Sequence, residues 1–236
     1  MSVYIHCGLR SPIGVLNGQY KHMRPEVLGA KVIDALINCH SISQVDGLFC
    51  GNVVGTGGNI GRLMGLMCNL PNSVPAITVD MQCASALMSI EIAYAHIVSG
   101  IMDSAIAGGI ESSSLQPERV YASGDDREGP YKVAQFTPQD QSPLAMLKGA
   151  ERTIHKYNVT KEDLYPHIIG SHQRASAALD NPYLQSYIMP ITIDGKRCID
   201  ECIRPTMNEK LLSRMKPLLG ADSITNAGNA CLTHDG

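Results

Sequence analysis

The chain has 236 residues, 44% of them hydrophobic and 17% charged, with a formal net charge of -3. That length allows one large domain, or a core domain carrying a sizeable insertion, to build its own hydrophobic interior. The near-balanced charge gives no electrostatic footprint for nucleic acid or an anionic membrane, no apolar run is long enough to span a bilayer, and no secretory leader is expected.

Ser2 to Leu9 reads as a first strand, followed by the loop RSPIGVLNGQY. Pro25 then opens EVLGAKVIDALINCH, where Val27, Leu28, Val32, Ile33, Leu36 and Ile37 recur at helical spacing and proline takes a tolerated first-turn position. QVDGLFCGNVV predicts a second strand, and GTGGNIG leads into a helix, RLMGLMCNL. PAITVDM predicts a third strand, ASALMSIEIAYAHIVSG a long helix and DSAIAGGIES a fourth strand. Such alternation predicts an α/β fold whose mostly parallel sheet is covered by helices on both faces.

Past about Glu111 the chain becomes polar and rich in glycine and proline, an excursion too long for a connector. SPLAMLKGAERTIHKYN and TKEDLYPHIIGSHQRASAALD predict two helices, the second with Thr160 as N-cap and Glu162 and Asp163 in its first turn. LQSYIMPITID is expected to be extended and MNEKLLSRMKPLL helical, before SITNAGNACLTHDG closes the chain.

Few local patterns carry chemistry. GTGGNIG lacks the GK[ST] of a phosphate loop and reads better as a tight turn needing positive φ. The eight histidines are dispersed, and the serines at 112–114 lie in no GxSxG elbow. Cys7, Cys39, Cys50, Cys68, Cys83, Cys198, Cys202 and Cys231 have scattered spacings, and no metal site is expected from them. Free thiols of this kind fit a reducing cytoplasm.

Cys83 differs from the rest, because VDMQCASALM puts it where a strand hands over to a helix. A thiol there faces unpaired amides and the positive end of the helix dipole, which favour the thiolate. The same amides are suited to receive an oxyanion, and Ala84, Ser85 and Ala86 leave room for a substrate. The plain alternative is a small residue required where strand and helix pack.

Read together, the surrounding words favour the first. VDMQCASALMSIEIAYAHIVSG followed by DSAIAGGIESSS resembles the nucleophile helix and GGxES strand of the thiolase family. GNVVGTGGNIGRLMGLMCNLP upstream, and SHQRASAA, YIMPITI, RPTMNEKLLSRMKPL and NAGNACLTHDG downstream, follow that family's order with nearly its spacing. Ketosynthases share the fold and the cysteine but lack the SHQRA-to-NAGNA series.

The resemblance implies a thiolase-like layered α/β core over residues 1–116, an inserted α-rich loop domain over 117–222 that embraces coenzyme A, and a return to the core over 223–236. The chain would then be the N-terminal half, its core incomplete at the C-terminal end. Cys83 would be the acylated nucleophile of an acetyl-CoA C-acetyltransferase type of enzyme, in fatty-acid metabolism, running as Claisen condensation or thiolysis. Arg204 would lie near the CoA nucleotide, Met146 beside the thioester, and Ala230 and Cys231 along the pantetheine. Coenzyme A thioesters are the implied substrates, with no covalently bound cofactor, no nucleic-acid or membrane partner, and a homodimer or tetramer as assembly. The family's GHP histidine and CxG cysteine are absent from these residues, so the chain is expected to be inactive without a C-terminal thiolase half. Ala145, Met146 and Leu147 replace an HMG-like triplet, Cys231 a serine, and His234 an asparagine. A non-catalytic CoA-binding or assembly module is the competing reading, and a ketosynthase-like condensing enzyme the third.

Overall fold

The structure is a computed structural model that describes residues 2–55, 57–135, 137–138 and 142–236. In chain order its elements are β1 (Gly14–Val15), α1 (Pro25–His40), β2 (Gly47–Gly51), α2 (Ile60–Met67), β3 (Ala76–Val79), α3 (Ser85–Val98), β4 (Ala105–Gly109), β5 (Arg119–Val120), β6 (Pro130–Tyr131), α4 (Ala145–Lys156), α5 (Lys161–Leu179), α6 (Pro182–Gln185), β7 (Thr192–Ile193), β8 (Lys196–Arg197), α7 (Glu209–Leu212) and β9 (His234–Asp235). They form two compact units. One comprises Met1–Pro117, Tyr183–Cys202 and Thr233–Gly236, the other Glu118–Pro182 and Ile203–Leu232.

The first unit is built on a parallel sheet of order β3-β2-β4, paired from Leu48↔Ala76 to Gly51↔Val79 and from Gly47↔Ala105 to Gly51↔Gly109. β2 is buried along its whole length, as a central parallel strand with both faces covered must be. Its side chains alternate between the two helix layers. Leu48 and Cys50 join Ile60 and Met64 of α2 and Leu28 and Ile33 of α1 in the apolar core. Phe49 points the other way, its ring 5.2 Å from that of His96 on α3. The expected α/β architecture, a parallel sheet between helices, is therefore observed.

Helix ends follow the local chemistry. α1 begins at Pro25 and stops at Ser41, which takes a left-handed conformation (φ 50°) while its amide donates to Ile37 O. Asn59 caps α2 by accepting from the Arg62 amide, and Thr160 and Asp163 cap α5 reciprocally.

Three expectations are corrected. Ser2–Leu9 is not a strand: Tyr4 and Ile5 are 83% and 88% exposed, and β-type bonding starts only at Arg10, whose amide donates to Tyr187 O and whose carbonyl accepts from Met189. An extended segment without a ladder partner gains little from strand propensity. Within MNEKLLSRMKPLL only Glu209–Leu212 is α-helical, capped by Asn208. Pro217 biases Lys216 away from helix, and Leu218 N donates instead to Thr225 O. LQSYIMPITID, expected to be extended throughout, begins inside α6 and forms a ladder only at β7, which pairs with β8.

In the second unit, Glu151 of α4 is buried among donors from another segment. Its carboxylate accepts from the amides of Ile224 (2.8 Å) and Thr225 (3.0 Å) and from the hydroxyls of Ser223 and Thr225. His155 Nε2 lies 3.3 Å away on the next turn. Burial alone raises this group, but the bonds from Thr225, Ile224 and Ser223 outweigh it and draw the carboxyl down to about 2. Among the described residues no helix is long and apolar enough to cross a membrane.

Candidate active site

At the carboxyl end of the parallel sheet the chain leaves three strands in succession, where open α/β sheets place their ligands. Cys83 sits in the turn between β3 and α3, exposed, with Ala84 as the N-cap. It is neither inside the helix nor sealed in hydrocarbon.

The turn is held by side chains. Gln82, immediately before the cysteine, has φ 52°, a left-handed conformation uncommon outside glycine. Its amide donates to Asp80 Oδ1 at 2.9 Å, and its carbonyl accepts from the Ser85 hydroxyl at 2.6 Å. The same hydroxyl accepts from the Met81 amide at 2.8 Å. One serine therefore bonds on both sides of Gln82 and compensates the unfavourable backbone region.

Two glycines set the depth of the turn. Gly51 and Gly109 are paired in register at the ends of β2 and β4. A Cβ on Gly51 would lie 2.5 Å from the Ala86 nitrogen and 2.6 Å from the Ser85 carbonyl carbon. The first turn of α3 thus rests directly on strand backbone, a closeness only glycine permits. Ser89, fully buried, anchors the next turn: its hydroxyl lies 2.8 Å from Gly108 O and 2.7 Å from Ala86 O. α3 carries no acid in its first turn and has His96 in its last, so the nearest turn carboxylate to the positive end of its dipole is that of Asp80, ahead of Cys83.

A carboxylate ties the neighbouring strand ends together. Glu111, just past β4, accepts from the amides of Val53 and Val54 (both 2.9 Å) and Ser112 (3.1 Å) and from Asn52 Nδ2 (3.1 Å). Asn52 Nδ2 also donates to Ile110 O at 2.8 Å. The segment after β2 is thereby fastened to the end of β4, beside the cysteine turn. Glu111 and Gly236 exchange both backbone bonds, and Asp235 accepts from the Ser114 amide and hydroxyl.

Of the other thiols, Cys39 and Cys231 are also exposed, while four lie in different surroundings. Burial pushes Cys50 up to about 12 and raises Cys7, Cys68 and Cys198. Among the described residues no cluster of His, Cys, Asp and Glu is arranged to hold a metal ion.

The remaining candidates all belong to the second unit. Met146 is on the first turn of α4 and 77% exposed. Arg204 follows the loop after Cys202, its amide donating to His172 Nδ1 at 3.2 Å. Ala230 closes a turn with its amide on Asn226 O, and Cys231 is exposed beside it. Sequence reasoning missed Asn52, Gln82, Ser85 and Glu111 as positioning residues. GNVVG and GGIES were legible as motifs, but that one carboxylate joins them depends on pairing across the sheet.

Known proteins bear on this arrangement. A family model described as the N-terminal domain of thiolase matches residues 3–236. Proteins of Staphylococcus haemolyticus and Staphylococcus epidermidis, each provisionally named acetyl-CoA C-acetyltransferase VraB, are both 33% identical over 96% of this chain. The chain spans 61% of the length of each. The crystal structure of the Bacillus anthracis acetyl-CoA acetyltransferase superposes with a TM-score of 0.81 at 25% identity, covering 96% of this chain and 61% of that one. With its cysteine turn, glycine-floored helix and parallel sheet, the chain belongs to the thiolase family.

Proposed function

We propose that this chain carries the acylation site of a thiolase-type acyl-CoA acyltransferase, with Cys83 as nucleophile. The Cys83 thiolate attacks the carbonyl carbon of an acyl-CoA thioester, forming the new C–S bond. The tetrahedral oxyanion then collapses, the bond to the CoA sulfur breaks, and CoA leaves as thiolate while the acyl group stays on Cys83. The Cys83 backbone amide, at the start of α3, is one donor to that oxyanion. An acetyl-CoA deprotonated at its α-carbon next attacks the acyl-enzyme, giving a 3-oxoacyl-CoA and regenerating the thiolate. Run in reverse, the sequence is thiolysis. The α-proton transfer belongs to groups that this chain does not supply, so turnover requires the family's C-terminal half.

The observation that supports this reading best is an exposed cysteine on a left-handed turn, seated by Gly51 and Gly109 at the N-terminus of a fourteen-residue helix. Met146, Arg204, Ala230 and Cys231 are the proposed contacts of coenzyme A, in a loop domain made of the second unit. Assembly also enters the proposal. α3 presents Leu87, Ile90, Tyr94 and Val98 to solvent, an apolar stripe on a helix whose opposite side lies on the sheet. A helix packed on one side through Ser85, Ser89 and Ala93 and apolar on the other is suited to burial between two layers. We assign the stripe to the family's C-terminal half, and propose that the assembled protein is a homo-oligomer.

The test is chemical. The chain is incubated with iodoacetamide from pH 5 to 9 and separately with acetyl-CoA, and adducts are located by mass spectrometry. Cys83 is expected to alkylate faster than the other seven thiols at low pH, and acetyl-CoA to leave a 42 Da adduct there, absent in Cys83→Ser (about 42 Da being the acetyl increment in this covalent route). Uniform slow alkylation with no acyl adduct would leave a CoA-binding module as the better reading.

A further inference from the structure

The first unit holds a cavity that no residue of the cysteine turn lines, with a volume of about 630 Å³. One wall is the segment from Gly18 to Val27 that enters α1; the other is the β7–β8 hairpin, Ile193 to Cys198. Five basic residues line it, Lys21, His22, Arg24, Lys196 and Arg197, against one acid, Asp194. In a chain with 19 Lys and Arg to 22 Asp and Glu, this gathering runs against the general balance.

Most of these cations have no internal purpose. Arg24 pairs with Glu26 at 3.2 Å, where Glu26 is buried at the start of α1. Among the described residues the side chains of Lys21, His22, Lys196 and Arg197 have no ion-pair or hydrogen-bond partner, and Asp194 pairs with none of them. Setting Arg24 against Glu26, and one cation each against Asp194 and Glu201, whose carboxylate abuts Gly18 and Gln19, leaves one net positive charge before His22 is counted. These side chains are exposed around one opening, where a bound anion would offset their solvent-screened repulsion.

The walls are also preformed. Gln19 and Ile199 exchange two hydrogen bonds (2.8 and 3.0 Å), and Glu201 accepts from the amides of Val15 and Gln19. Asp200 accepts from the Ile13 amide and takes Arg10 bidentately at 2.8 Å. These bonds join the two walls. Met23, Val27, Ile193 and Cys198 add an apolar portion to the lining. Apolar lining, a cationic rim and room within the usual range for small-molecule sites match an amphipathic anion.

We infer that this cavity binds a phosphorylated organic anion of nucleotide size, with its phosphates among Lys21, Lys196 and Arg197 and its ring over Met23, Val27 and Ile193. The inference is independent of the acyl-transfer proposal. A free nucleotide and the nucleotide end of a larger cofactor share this chemistry, and competition separates them.

Binding of ADP carrying an N-methylanthraniloyl fluorophore is followed by anisotropy on the full chain, with unlabelled ADP and CoA as competitors. A dissociation constant of roughly 10 μM to 1 mM is expected, weakening with salt. The variant Lys196→Glu/Arg197→Glu, on an exposed hairpin, is expected to weaken binding at least about tenfold, while leaving alkylation of Cys83 unchanged. Displacement by ADP alone identifies a free nucleotide, and equal displacement by CoA identifies the cofactor's nucleotide end. As a check that needs no variant, photolabelling with 8-azido-ADP should mark peptides covering residues 18–27 or 193–198. No binding below about 5 mM, undiminished binding by the folded charge-reversed variant, or labelling confined to other peptides overturns the inference.

Discussion

Replacing Gly51 by alanine tests whether the sheet sets the position of the cysteine turn. The new Cβ would lie 2.5 Å from Ala86 N, 2.6 Å from Ser85 C and 2.8 Å from Ser85 Cβ, all well inside ordinary contact distance. Two of these are backbone atoms, so no side-chain rotation relieves the clash. The first turn of α3 must rise by roughly 0.5–1 Å, and overpacking of this kind costs about 1–3 kcal/mol. At this chain length each kcal/mol lowers the melting temperature by about 2–4 °C, giving a loss of about 2–12 °C. Ser85 rides on the displaced turn and bonds both sides of Gln82, so alkylation of Cys83 by iodoacetamide is expected to slow by up to about tenfold. Gly108→Ala is the control, because nothing lies within 4 Å of its Cβ position. It should change melting by no more than about 2 °C. A Gly51→Ala protein that melts with wild type and alkylates at the wild-type rate would refute the reasoning.

Glu151→Gln should destabilise the second unit by about 1–3 kcal/mol at neutral pH, read from the urea midpoint. The depressed folded value of Glu151, about 2, makes its contribution complete above the unfolded value near 4.3 and lost as pH falls through 2. The gap between wild type and variant should therefore narrow from pH 5 to pH 2, and a gap that widens on acidification contradicts the assignment. Glu111→Ala removes an acceptor from the Val53 and Val54 amides, each 2.9 Å away. Their hydrogen exchange should quicken by about ten- to a hundredfold, with little change at the α1 amides.

How much of this was legible depends on the range of the forces involved. α1 begins at Pro25 and ends at His40 as its periodicity and proline predict, because a sixteen-residue amphipathic stretch contains its own signal. Thr160 was visible as a cap because its partner, Asp163, is three residues away. Ser2–Leu9 failed for the opposite reason, since a strand exists only with a neighbour. In LLSRMKPLL the apolar spacing suggests helix, but Leu218 is taken by Thr225, a competitor seven residues on that no short window contains. The cysteine turn was legible as a place; Gln82's left-handed backbone and the clamp at Glu111 were not. The clamp joins residues almost sixty apart in the chain, and the Gln82 backbone is set by local bonds with Asp80 and Ser85 that leave no periodic signal.

Gly51 and Gly109 carry one more implication. The level of the sulfur above the sheet is fixed by two positions that hold only hydrogen, so no rotamer change beneath the helix can raise or lower it. A residue that packs by filling space can be traded for another of similar bulk; a floor made of absent atoms has no substitute. Any difference in what can approach the thiol therefore has to be drawn from the walls around it, while its footing stays constant.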